Sequence, residues 1–89
     1  MANYILKPSV GLEFQNNELI IIDVETGFMG SGNKCSYEIL NMLNNPVSKD
    51  EIVIKMKSKY SENVHDKIEG AIQTVLKWAL EKEVILEVE

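Results

Sequence analysis

Along the first third of the chain, apolar and polar residues alternate. Val10, Leu12 and Phe14 are interleaved with Gly11, Glu13 and Gln15. This is the period-two pattern of a strand buried on one face, and it predicts a strand over 10–15. Asn16-Asn17 follows, a pair that tolerates positive φ and suits a tight turn. The denser run Leu19-Ile20-Ile21-Ile22, continuing to Val24, predicts the central strand of a meander over 19–24. Glu25-Thr26-Gly27 forms a second turn, and Phe28-Met29-Gly30-Ser31 is long enough only for a short edge strand, 28–31. Three strands joined by two tight turns make an antiparallel meander.

From residue 34 onward the period is helical. A first helix is expected over 34–43, N-capped by Asn33, with Cys35, Ile39, Met42 and Leu43 on one face and Asn44-Asn45-Pro46 ending it. Ser48 opens a second, expected over 49–60. Glu51 stands three residues on, as a capping box requires, and Val47 is placed to staple against Ile52. Ile52, Val53, Met56 and Tyr60 form its apolar stripe. A third helix is expected over 64–82, and residues 84–89 fit either a short strand or a packed tail.

The third helix has more apolar surface than one core needs. At about 100° per residue, Val64, Ile68, Ala71, Ile72, Val75, Leu76, Trp78, Ala79 and Leu80 cover an arc of roughly 200°. A helix packed on a single core needs a stripe nearer ~100°. Either two sides of this helix pack internally, or the edge carrying Trp78, Ala71 and Val75 lines a groove for a partner.

Composition narrows the function. At 89 residues the chain is one domain, 1–89, and 45% apolar with 26% charged residues is globular rather than disordered. A net charge of −5 argues against a phosphate-binding surface, hence against nucleic acid. No apolar run approaches the roughly 20 residues that span a bilayer, so no membrane partner is expected. The first residues lack the pattern of a signal peptide. A single cysteine, Cys35, leaves no internal disulfide, and a cytoplasmic location is expected, with Cys35 a buried structural thiol.

No catalytic constellation emerges. His65 is the sole histidine, expected on the surface, with no nucleophile placed beside it. The stretch Gly27-Phe28-Met29-Gly30-Ser31-Gly32 is rich in glycine, but Asn33-Lys34-Cys35 does not supply the ending of a phosphate-binding loop. No cofactor, no metal site and no enzymatic activity are expected. Glycine in an edge strand lets another backbone approach, and residues 28–31 carry no charge or proline to block one. An incoming strand could pair there. Equally, the chain's own tail could cover the edge.

Order of elements and local patterns resemble the PqqD-like domains, the precursor-peptide recognition elements of ribosomally made, modified peptides. The resemblance runs from about Leu6 to Ile85. It is carried by Leu19–Val24 with Glu25-Thr26-Gly27, Asn33, Ile39-Leu40, Met42-Leu43, Pro46 to Ile52, Tyr60, Val75-Leu76 and Val84-Ile85. The chain departs from that pattern at Gly32, at Asn45-Pro46 and at Glu83, where a glycine is usual. The resemblance implies an α+β, winged-helix-like fold, a three-stranded antiparallel sheet followed by three helices. It also implies a leader peptide added as a strand to the third strand and packed on the third helix. By position, Phe28, Met29, Gly30 and Ser31 would supply the edge, Ala71, Thr74, Val75 and Trp78 the facing wall, and Lys67 the rim. A separate modifying enzyme, such as a radical enzyme, a protease or a cyclase, would receive the peptide. The bare edge also predicts a homodimer through 28–31 when no leader is bound. Two other readings stay open. One is a DNA-binding winged helix using Lys49, Lys55, Lys57 and Lys59, and the other an accessory subunit that packs on an enzyme without binding substrate.

Overall fold

In the computed structural model, which describes residues 2–89, turn chemistry sets the first half of the fold. Met1, part of the expected 1–89 domain, lies outside the described residues. Asn16 and Asn17 both adopt positive φ, 52° and 61°, as a two-residue hairpin turn that follows the twist of its strands demands. They join β2 (Val10–Gln15) to β3 (Glu18–Asp23), and a turn with Gly27 at φ 80° leads to β4 (Met29–Gly32). The strands form an antiparallel sheet in the order β2-β3-β4, so the expected meander is present. Its bounds differ by one residue from those expected: β3 is 18–23 rather than 19–24, and β4 is 29–32 rather than 28–31. Phe28 still joins the ladder through its carbonyl, which accepts from Asp23 N–H at 2.9 Å.

The helices follow as α1 (Lys34–Leu40), α2 (Lys49–Lys59) and α3 (His65–Glu81), the last preceded by a 3₁₀ turn over Glu62–Val64. Asn33 caps α1 through Ser36 N–H, and Ser48 and Glu51 form the capping box on α2. Helix α1 stops at Leu40, short of the expected 43. Met42 and Leu43 continue in tighter turns, and the Leu43 carbonyl accepts from Leu6 N–H at 2.8 Å instead of serving a helix. Tyr60 is extended and caps α2, so that helix ends at 59, and α3 is a residue shorter at each end than expected.

A second sheet, invisible in the periodicity, closes the fold. Strand β1 (Asn3–Leu6) lies between the two-residue β5 (Val47–Ser48) and β6 (Ile85–Val88), antiparallel to both. The closing residues are therefore a strand paired with β1, so they do not cover β4. Between the layers lies one core, in which Leu19, Ile21, Ile39, Leu40, Leu43, Ile52, Met56 and Ile72 are fully buried. His65 departs from the surface position expected of it: it is half-buried, with Nε2 3.0 Å and 3.1 Å from the Lys57 and Tyr60 carbonyl oxygens. Both partners can only accept, so Nε2 carries the proton and satisfies the open end of α2.

The end of α3 shows why a glycine would suit the position of Glu83. Val84 N–H donates to Ala79 O (2.8 Å) and Glu83 N–H to Leu80 O (3.1 Å), the paired bonds of a Schellman cap. That cap puts Glu83 at φ 58°, where a side chain is strained and glycine is not. Glu83→Gly is expected to stabilise the domain by up to ~1 kcal/mol. Paired urea melts check this, and a variant less stable than the parent would show that the left-handed strain is not felt.

Candidate functional site

The parity of the β3–β4 ladder decides which backbone groups are free. Residues paired across an antiparallel ladder alternate between exchanging hydrogen bonds and exchanging none. Val24 bonds Ser9 on the β2 side, whereas Asp23 bonds Phe28 on the β4 side. In the register Ile21↔Gly30 and Leu19↔Gly32, it follows that Gly30 and Gly32 turn their backbone groups to β3. Met29 and Ser31 then point theirs, two N–H and two C=O groups, outward along the free edge. Among the described residues no turn, loop or cap hydrogen bond takes them up.

The glycines serve a second purpose. Side chains of Leu19 and Ile21 face the helices, so their partners Gly32 and Gly30 do too. A Cβ on Gly30 would meet the Phe28 ring at 3.0 Å and Trp78 at 3.4 Å, and one on Gly32 would meet Ser36 at 3.1 Å. The Phe28 ring and, on α1, the Ser36 side chain therefore stand closer to β4 than a side chain there would comfortably allow, while Trp78 of α3 lies at ordinary contact distance. Phe28 and Trp78 face each other with ring centroids 6.4 Å apart, tilted by 56°. Beside them a cavity of about 170 Å³ opens between β4 and α3, lined by Ile21, Ser31, Ser36, Thr74, Val75 and Trp78.

Seven of the nine expected site residues are gathered here or beside it. Ser31, Thr74, Val75 and Trp78 line the cavity, Phe28 and Gly30 meet Trp78, and Met29 offers the edge backbone while its side chain stands 69% exposed on the outer face of the sheet. Lys67 and Ala71 line a different depression, about 260 Å³, with Cys35, Met56, Tyr60, Val64 and Ile68. One face of α3 thus serves two hollows, Thr74, Val75 and Trp78 against β4 and Lys67 with Ala71 against α1 and α2. Ile21 and Ser36 belong to the cavity lining but not to the expected set. Ile21 was marked by its place in the apolar run, whereas nothing in the sequence marked Ser36.

The over-wide arc of α3 resolves in the same terms. Ile68, Ile72, Leu76 and Ala79 are buried, Ala71, Val75 and Trp78 are half-buried along one margin, and Leu80 is half-buried on the other. In the second hollow Cys35 is half-buried rather than buried as expected. Desolvation, then the Glu38 carboxylate, hold its thiol above its usual range. Tyr60 donates its hydroxyl to Glu38, and that bond above all pushes its pKa up to about 12. Of the four lysines of α2, Lys57 pairs with Glu69 (3.0 Å) and Lys59 with Glu38 (3.5 Å). A basic face for DNA is correspondingly weakened. Among the described residues no cluster of His, Cys, Asp and Glu could hold a metal ion, and no helix is long and apolar enough to cross a membrane.

Asp23 holds the corner from which β4 departs. Its Oδ1 accepts from Glu25 N–H (2.9 Å) and Thr26 N–H (3.4 Å), and its Oδ2 meets Lys7 Nζ at 3.2 Å. The Ser9 hydroxyl, buried beside it without a fully formed hydrogen bond, favours the charged carboxylate most. With the Glu25, Lys7 and Thr26 contacts it outweighs desolvation and holds the group well below its ordinary 3.8.

No family model matches this sequence, and no curated protein does. The fold is shared with solved structures. TbiB1 in complex with the TbiA(beta) leader peptide superposes with a TM-score of 0.74 at 18% identity, covering 91% of this chain and 93% of that one. Lasso peptide synthetase B1 complexed with the leader peptide does so at 0.72 and 17% identity, covering 93% and 96%. The α+β, winged-helix-like arrangement expected from the PqqD-like resemblance is the one the chain adopts.

A depressed carboxylate contributes stability that is fully present above its unfolded pKa and is lost as pH falls toward the folded one. Asp23→Asn is therefore expected to lower the melting temperature at neutral pH. The gap from the parent should close as pH falls below about 4. Melts followed by circular dichroism across that range test it, and a gap independent of pH would refute the role given to the charge.

Proposed function

We propose that this domain captures the leader segment of a ribosomally made precursor peptide and presents it to a separate modifying enzyme, doing no chemistry itself. The observation that carries the reading is the unpaired β4 edge lying directly beside a half-buried apolar face of α3, with an open cavity between them. An extended peptide is the ligand that uses both features together: its backbone completes the sheet and every second side chain enters the cavity. Support comes also from the two structures of like fold, each of a protein holding a leader peptide.

In this reading the residue opposite Met29 and the one opposite Ser31 exchange hydrogen bonds with the edge. Side chains opposite Gly30 and Gly32 point toward α3 and the cavity beside β4. An apolar anchor settles against Val75 and Trp78, and the continuation of the peptide reaches the hollow at Ala71, with Lys67 on its rim. The modifying enzyme is a radical enzyme, a protease or a cyclase. Without a peptide, the bare edge pairs with a second copy of itself, giving a homodimer through β4 at high concentration.

Proline substitution separates binding from folding here. Met29 N–H faces outward, so Met29→Pro removes no bond from the β3 ladder, and edge strands tolerate proline. Both Met29→Pro and Trp78→Ala are expected to weaken binding of a cognate leader by at least about tenfold, a loss of ~1.4 kcal/mol, with the far-ultraviolet spectrum unchanged. Fluorescence anisotropy of a labelled leader measures it. Parent-like affinity in both variants would remove the groove from consideration. Tight, salt-sensitive binding to duplex DNA would favour the nucleic-acid reading, and association with an enzyme that leaves leader binding undetectable would favour the accessory subunit.

A further inference from the structure

On the face of the meander sheet turned away from the helices, the end near Asp23 is apolar, whereas Glu13, Gln15 and Glu18 stand toward the other end. Ile20, Ile22 and Val24 follow one another along β3 and just beyond it, Ile22 at 37% and Val24 at 80% exposure. Met29 lies directly across from Ile22, 69% exposed. Ile22 also faces Gly11 of β2, which contributes no side chain to cover it. A shallow hollow of about 230 Å³ runs over Gly11, Leu12, Glu13, Ile20, Ile22 and Val24. Ile20, Ile22, Val24 and Met29 take no part in the core, because the helices lie on the other side of the sheet.

We infer that this outer face is a second specificity surface, on which the outward-pointing side chain of the bound peptide packs against Met29 and Ile22 and so fixes the peptide's register. The inference rests on the peptide reading above and deepens it. Side chains opposite one another in an antiparallel pair share a face. A strand added to β4 therefore places the residue opposite Met29 beside the Met29 side chain, with Ile22 next beyond it. The residue opposite Ser31 meets a hydroxyl instead. The two outward positions are thus chemically unlike, one apolar and one polar.

That difference matters because the main-chain contacts leave the register open, so that the groove anchor would otherwise have to fix it alone. Main-chain hydrogen bonds are blind to sequence, and a slip of two residues keeps every side chain on its own face. The edge offers two glycines to the groove-facing side chains, Gly30 beside Phe28 and Trp78 and Gly32 beside Ser36. The outer face adds a second distinction between the two ends of β4. A suitable peptide therefore carries a large apolar residue next to its groove anchor, on the Met29 side, and a polar or small one on the Ser31 side.

A phage-displayed library of random short peptides, selected on the parent protein and on Met29→Lys, tests this and requires no identified leader. Met29 is exposed and its substitution leaves the core untouched; matching melting curves verify that. On the parent, selected peptides are expected to show a groove anchor flanked on one side by a large apolar residue. On Met29→Lys that flanking position alone should change to Asp or Glu, with the anchor kept. A parent-selected peptide should bind Met29→Lys at least about tenfold more weakly, and replacing its flanking residue by Glu should restore binding. Peptides whose flanking position is random on both proteins, yet which lose binding on Trp78→Ala, would overturn the second surface and leave the groove standing. If no selected peptide depends on Trp78, the peptide reading itself falls, and the inference with it.

Discussion

The pairing of Ile21 with Gly30 is the contact on which the rest of the site depends. It sets the parity of β4, and parity decides two things at once. Met29 and Ser31 turn their hydrogen-bonding groups outward, and Gly30 and Gly32 turn their missing side chains toward the helices. A one-residue slip would reverse both, pressing Met29 and Ser31 into Trp78 and Ser36 while bringing glycine to the outer face. Nothing in β4 itself could prevent that slip, since four small or flexible residues specify register weakly. The parity is imposed from β3, where Leu19 and Ile21 must be buried, and from the corner at Asp23, which anchors the turn to Lys7 and to the backbone of Glu25 and Thr26.

Much of this was legible in the residues, and for identifiable reasons. Alternation over Val10 to Phe14, the asparagine pair and the capping box at Ser48 each encode a local geometry that no distant contact overrides. The second sheet was not legible. Its strands have two to four residues each, too few to establish a period, and β1 and β6 become strands only because the N- and C-terminal segments meet. The early end of α1 has the same origin, since the Leu43 carbonyl is claimed by Leu6. At the candidate site, helical periodicity brought out the Ala71, Val75 and Trp78 margin, because an arc wider than one core can bury must show somewhere. Periodicity could not show that the margin would be divided between two hollows. That division depends on where α1 crosses, and Ser36 joins the cavity only because of that crossing.

An open edge and an apolar groove are each insufficient alone. Main-chain hydrogen bonds formed in water contribute roughly 0.5–1.5 kcal/mol each, and β4 offers only the groups of Met29 and Ser31. Their sum is comparable to the lower end of the ~4–15 kcal/mol that association costs. Side chains must therefore supply the surplus, at roughly 1.5–3 kcal/mol for each large apolar group fully buried. A peptide with a good backbone and no anchor gains nothing over water, and an apolar ligand without a backbone to pair leaves the edge exposed.

The same inequality makes self-pairing weak, so that the edge pairs with a second copy only at high concentration. Self-pairing between two β4 strands would gain the main-chain bonds but bury little side chain, because Gly30 faces the groove on each copy. Both copies also carry a net charge of −5, which opposes close approach. A leader with an anchor opposite Gly30 fills the space that a second copy leaves empty. Discrimination between peptide and self therefore arises from the cavity between β4 and α3, and no charged guard on the edge, which would also repel a peptide strand, is required.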